Sequence, residues 1–206
     1  MFSTRAPLLV HAAIRDLCDW IRPDIDPVFV RIEIDDSDQP SDCFFNVRRR
    51  IEREGGSIQF GWAIWEWPRV FVEAEHHAVF APADGGPWKD VTPCEIPGSR
   101  RRLFLPDNAA VYDFENQGQL RDNVRMALSS SPLVQEMFDA ASERVRILNS
   151  IPGVGAVTAS LETARSLQAT TLKVMELQHE IGMTHTPPRT PCFCGRGKMF
   201  KQCHGR

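Results

Sequence analysis

The chain has no apolar run approaching the roughly 18 residues that a bilayer-spanning helix needs, so membrane insertion is not expected. Neither sign of charge dominates. Its 24 Lys and Arg against 27 Asp and Glu give a net charge of −3, which provides no global attraction to nucleic acid or anionic lipid. Long internal repeats are missing, so nothing indicates a repeat array. The bias of a disordered chain is also missing, because 42% hydrophobic and 25% charged residues are close to globular averages. Met1 to Asp16 contains an apolar stretch, Ala6 to Ala13, but Arg15 and Asp16 follow at once and no small-residue cleavage site appears. It reads as a helix start and not as a signal peptide. Finally, the cysteines lack the even spread of a disulfide framework. Three of the six lie in the last fifteen residues and the others are at 18, 43 and 94. A reducing, cytoplasmic setting is expected, where clustered cysteines ligate metal.

What is present reads as an α+β chain. Residues 6–22 form an amphipathic helix pattern, stopped by Pro23 and Pro27. Val28–Ile34 alternates as a strand, and a polar loop, 35–42, delivers the chain to Cys43. A helix is expected from there to Glu54, ended by Gly55-Gly56. Strands follow over 57–65, 70–80, around 88–91 and at 101–105. From about Ser131 the pattern turns helical, over 132–149 and again over about 156–181. The expected organisation is an α+β domain over 1–130, a helical hairpin over 131–181, a proline-rich linker over 182–190 and a knuckle over 191–206.

The knuckle carries the most specific signal. Cys192 and Cys194 are followed after eight residues by Cys203 and His204, with Gly195 and Gly197 between them. Three thiolates and one imidazole fill a tetrahedral zinc sphere and leave no open position, so the ion is structural and supplies the tail's folding free energy. This stretch resembles the SEC-C motif, the zinc-binding module found at the end of the bacterial preprotein translocase ATPase. Phe193 stands where that family commonly has proline. The resemblance implies a docking element for a protein partner, and the basic residues Arg196, Lys198, Lys201 and Arg206 suit that role.

A second constellation lies upstream. Cys43 stands at a helix start, where the macrodipole and free N–H groups favour a thiolate. His77 lies in a strand and Asp90 in the next, close enough in an antiparallel pair for their side chains to meet. The order Cys43, helix, Gly55-Gly56, strand, His77-Ala78-Val79, then Trp88-Lys89-Asp90-Val91-Thr92 resembles the transglutaminase-like branch of the papain-like cysteine hydrolases. Val79 and Val91 depart from that family's tryptophan and proline, and Asp42 precedes the cysteine. The resemblance implies a helix packed on an antiparallel sheet, with Cys43 as nucleophile, His77 as general base and Asp90 as its orienter. The implied substrate is an amide or thioester, with a backbone N–H near Cys43 as oxyanion donor.

The alternative is a non-catalytic adaptor on the same fold, docked to a protein through the zinc tail. A third reading comes from residues 148–159, which resemble the helix–hairpin–helix module of DNA-binding proteins. The following helix offers only Arg165 and Lys173 against Glu162 and Glu176, a thin cationic supply for DNA.

Overall fold

A computed structural model describes residues 4–94, 99–115, 119–153 and 158–205. The chain divides into two compact units, one of residues 5–65 and 73–112, the other of residues 1–4, 66–72 and 113–206.

The first unit is a small barrel-like sheet with two helices, α1 (Ala12–Ile21) and α2 (Cys43–Glu54). Its strands are β1 (Val28–Ile32), β2 (Ser57–Trp67), β3 (Phe71–Ala81), β4 (Lys89–Asp90) and β5 (Arg101–Pro106), apart from residues 66–67 of β2 and 71–72 of β3, which belong to the second unit. They follow the order β2-β5-β1-β4-β3, and β2 also pairs with β3, which closes the ring. One expectation needs correction. The sheet is not wholly antiparallel, because β1 runs parallel to β4, with Arg31 beside Lys89 and Ile32 beside Asp90. The long loop between them, with α2 and the β2–β3 hairpin inside it, allows that crossover.

Strand alternation sorts the side chains. Val30, Val79 and Phe104 form a buried cluster with Trp88 against it. α1 buries Ile14, Leu17 and Cys18 and is shorter than the 6–22 span expected. α2 begins at Cys43 and ends where Gly55 takes φ 72°, a left-handed conformation that glycine adopts without steric cost. Its one buried face includes Phe44, which stacks on Tyr112 at 4.2 Å, and Val47.

The second unit holds α3 (Pro132–Asn149) and α4 (Leu161–His185), with β6 (Val124–Ala127), a strand the sequence pattern did not indicate. α4 runs on through Gly182 to His185, past the expected boundary at about 181 and into the span expected as a proline-rich linker. The ion expected to supply the tail's folding free energy is not its sole support, because the tail also packs apolar side chains. Phe193 and Phe200 join Val134, Met137, Phe138, Leu177 and Ile181 in one buried cluster. The helix–hairpin–helix resemblance rests on 148–159, of which residues 154–157 lie outside the described residues; 148 and 149 end α3.

Gly182 explains how the tail seats on α4. A Cβ there would come within 2.4 Å of the Phe193 ring, and Phe193 is only 1% exposed. In an exposed helix Gly→Ala gains up to about 1 kcal/mol from propensity. Here we expect the opposite sign: Gly182→Ala should destabilise by about 1–3 kcal/mol through overpacking. A denaturant midpoint at or above that of the wild type would refute this seating.

Candidate metal centre and a buried Cys-His-Asp series

Backbone bonds shape the tail before any ion is considered. Pro191 bridges Met199, the Cys192 N–H donates to the Lys198 carbonyl at 2.8 Å, and Gly195 N–H donates to Cys192 at 3.1 Å. Gly195 and Gly197 take φ 72° and 73°, so the loop reverses tightly enough to bring both early cysteines to one side. A 3-10 turn, Phe200–Gln202, then returns the chain and presents Cys203 and His204.

The four donor atoms lie within 4.8 Å of one another and can hold a metal ion. Cys194 Sγ is 3.6 Å from Cys203 Sγ, and His204 Nδ1 is 3.3 Å from both Cys192 Sγ and Cys203 Sγ. A tetrahedron with metal–sulfur bonds of about 2.3 Å has sulfur–sulfur edges of about 3.8 Å and sulfur–nitrogen edges of about 3.6 Å. The residues therefore fit the group. Electrostatics point the same way. The Cys203 thiol is pushed up to about 11, first by its hydrogen bond with Cys194, then by burial and the Cys192 thiol. Burial opposes ionisation of Cys194, yet its thiol is lowered on balance by the Arg196 backbone N–H and the neighbouring thiols. Sulfurs so close do not ionise together unless a cation offsets their repulsion.

The upstream series lies within the barrel unit. β3 and β4 pair antiparallel with Phe80 opposite Lys89, which sets Asp90 opposite Val79 and one diagonal step from His77. The His77 Nε2 to Asp90 Oδ1 distance is 3.2 Å, and the Thr92 N–H donates to the same carboxylate oxygen at 3.0 Å. His77 and Asp90 are buried. Burial disfavours the imidazolium, but the Asp90 charge and then Cys43 raise His77 to about 10. Cys43 opens α2 as expected. It is itself buried.

Arg102 was missed by the sequence reading. Its Nε donates to Asp90 Oδ2, and its guanidinium lies 4.9 Å from the Trp65 ring. Burial raises the Asp90 carboxyl, but His77 and Arg102 outweigh it and hold it below the usual range. In Arg100-Arg101-Arg102 the alternation of β5 turns Arg102 inward, a signal present in the sequence once the strand is placed. Asn46 on α2 adds a tether. Its Nδ2 donates to the Gln39 carbonyl at 2.8 Å and to Thr92 Oγ1 at 3.4 Å, and its Oδ1 accepts from Gln39 N–H at 2.9 Å. The loop before Cys43 and the turn after Asp90 are both fastened to α2. His76 faces away from His77, with Nε2 2.7 Å from the Ala110 carbonyl, and Glu75 accepts from Trp65 Nε1 at 2.7 Å.

Residues 190–206 match the SEC-C motif. No curated protein and no solved structure matches the chain. Among the described residues no helix is long and apolar enough to cross a membrane.

Proposed function

We propose that the chain is a zinc-binding SEC-C protein whose barrel unit performs thiol-dependent acyl chemistry of the transglutaminase-like kind on an amide or thioester. The carrying observation is the buried His77–Asp90 hydrogen bond, with Cys43 opening α2 in the same barrel unit. Zinc is the reading favoured for the metal because three thiolates and one imidazole in a closed tetrahedron suit it. When bound, the ion supplies folding free energy and no reaction step. The basic knuckle residues Arg196, Lys198 and Lys201 would serve a protein partner.

In the proposed reaction the Cys43 thiolate attacks the substrate carbonyl carbon, and the carbonyl electron pair moves to oxygen. The first N–H groups of α2 have no intrahelical acceptor and suit that oxyanion. Asp90 engages Nε2 of His77, which leaves Nδ1 to protonate the leaving amine or thiolate as its bond to carbon breaks. A thioester to Cys43 results. Water or an acceptor amine then gives its proton back to His77, attacks the thioester and releases the thiolate. Arg102 keeps the Asp90 carboxylate ionised and fixed.

The burial of all three side chains favours the second reading, a non-catalytic adaptor on the same frame. Iodoacetamide labelling decides between them, with modification at the Cys43 peptide read by mass spectrometry. Catalysis requires labelling at pH 7 at least tenfold faster than that of an unstructured cysteine, and His77→Gln should abolish the advantage. Labelling no faster than an unstructured thiol supports the adaptor.

A further inference from the structure

The outer face of the barrel carries a charge arrangement that its own fold neutralises only in part. Arg31 on β1 is in register with Lys89 of β4 on one side and with Arg101 of β5 on the other. Residues in register share a face and stand about 5 Å apart, so three cations form a row across β5, β1 and β4. Like charges directly opposite one another destabilise a sheet. Lys89 is relieved by Glu33, at 2.8 Å. Arg31 and Arg101 are exposed; the Glu33 carboxylate that pairs with Lys89 also feels the Arg31 charge, but among the described residues neither arginine has a carboxylate within ion-pair distance. The Arg101 guanidinium lies 4.1 Å from the centre of the Phe29 ring and donates to the Leu8 carbonyl at 3.2 Å.

That last bond brings a second feature to the same place. Leu8 and Leu9 are 71% and 61% exposed, although both are large and apolar. Paired exposed leucines beside arginines without an ion-pair partner match a surface that is both anionic and apolar within a few ångströms of depth. A nucleic acid or an acidic peptide would use the arginines and leave the leucines in water.

We infer that this face, with Arg31 and Arg101 on phosphate groups and Leu8 and Leu9 below them, docks the chain on an anionic lipid bilayer surface. The binding is peripheral, and its two components are the apolar area buried and the attraction to charged headgroups. It is independent of any chemistry at Cys43. The near-zero net charge of the chain does not oppose it, because attraction falls off within a Debye length and local charge decides.

Co-sedimentation of the full, metal-loaded chain with vesicles tests this. Phosphatidylserine–phosphatidylcholine vesicles should carry the protein down at low salt, whereas pure phosphatidylcholine vesicles should not. Each arginine near such a surface contributes roughly a fivefold factor, so Arg31→Gln should weaken binding about fivefold and the Arg31→Gln, Arg101→Gln pair about 25-fold. Leu8→Ser with Leu9→Ser should weaken it at least as much. Far-UV circular dichroism and metal content report whether the variants stay folded. No sedimentation with phosphatidylserine vesicles overturns the inference, as does binding that survives the arginine pair. Binding that survives the leucine pair, or that a single-stranded oligonucleotide displaces, identifies a soluble polyanion and overturns it equally.

Discussion

Stripping the metal from the freshly prepared chain with a strong chelator is expected to release one equivalent and to unseat the last fifteen residues together with part of the helical unit. Structural zinc in small peptide modules is bound with an apparent free energy of about 10–16 kcal/mol at neutral pH, comparable to the whole stability of a typical domain. Without the ion, close packing of Cys192, Cys194, Cys203 and His204 has no electrostatic support, since their donor atoms lie within 4.8 Å of one another. The loss would not stay local. Phe193 and Phe200 share a buried cluster with Met137, Phe138, Leu177 and Ile181, so freeing the tail uncovers apolar surface on α3 and α4. Hydrogen exchange should quicken at the Cys192, Phe200 and Gly205 amides, whose bonds to Lys198, Thr190 and Phe200 are 2.8–2.9 Å long. It should also quicken, by a smaller factor, around Leu177 and Ile181. Re-adding zinc should reverse both changes. Far less than one metal per chain, or exchange untouched by chelation, would overturn the metal assignment.

The second large effect concerns Asp90. One buried carboxylate balances two buried cations, His77 at 3.2 Å and Arg102 through its Nε. Asp90→Asn keeps the shape and removes the charge, leaving Arg102 uncompensated inside the barrel. Breaking such a pair from one side costs about 3–5 kcal/mol, and we expect that loss in denaturant unfolding at pH 7.

The pH profile carries a signature as well. His77 is raised to about 10 from an unfolded value of roughly 6.5. Its contribution is therefore complete below about 6.5 and lost as pH rises through about 10. Asp90 is lowered, so its contribution is present above the unfolded carboxylate value and lost as pH falls through the depressed one. Asp90→Asn should flatten both limbs relative to wild type, and His77→Gln mainly the alkaline one. Subtracting the variant profiles removes what every other group contributes to the alkaline limb. A penalty under about 1 kcal/mol, or an alkaline limb that survives in both variants, would show that the pair is not electrostatically coupled.

Some of this was legible along the chain and some was not, for reasons visible in particular residues. The start of α2 at Cys43 and its end at Gly55 follow from apolar spacing, a loop-forming run before the cysteine and a glycine that tolerates positive φ. α3 coincides with its expected span because Pro132 suits a first helical turn. α4 was misplaced at both ends. Gly182 looks like a stop, yet it sits inside the helix, because the space a side chain would need is filled by the Phe193 ring. The parallel pairing of β1 with β4 was invisible, since nothing in Val28–Ile32 records which distant strand lies beside it. β6 was missed because four residues with mixed exposure show no clear alternation.

Cys192, Cys194, Cys203 and His204 are close in sequence, so covalent geometry and two glycines suffice to cluster them, and the tail's metal-binding chemistry could be read without a fold. The partners of Asp90 could not. Arg102 reaches it, and Arg31 lines up with Lys89 and Arg101, only after strands far apart in the chain have chosen neighbours and register. That choice depends on how the whole barrel buries Val30, Val79 and Phe104. Short-range spacing determined what could bind a metal; long-range pairing alone decided which charges face inward together and which line up outside.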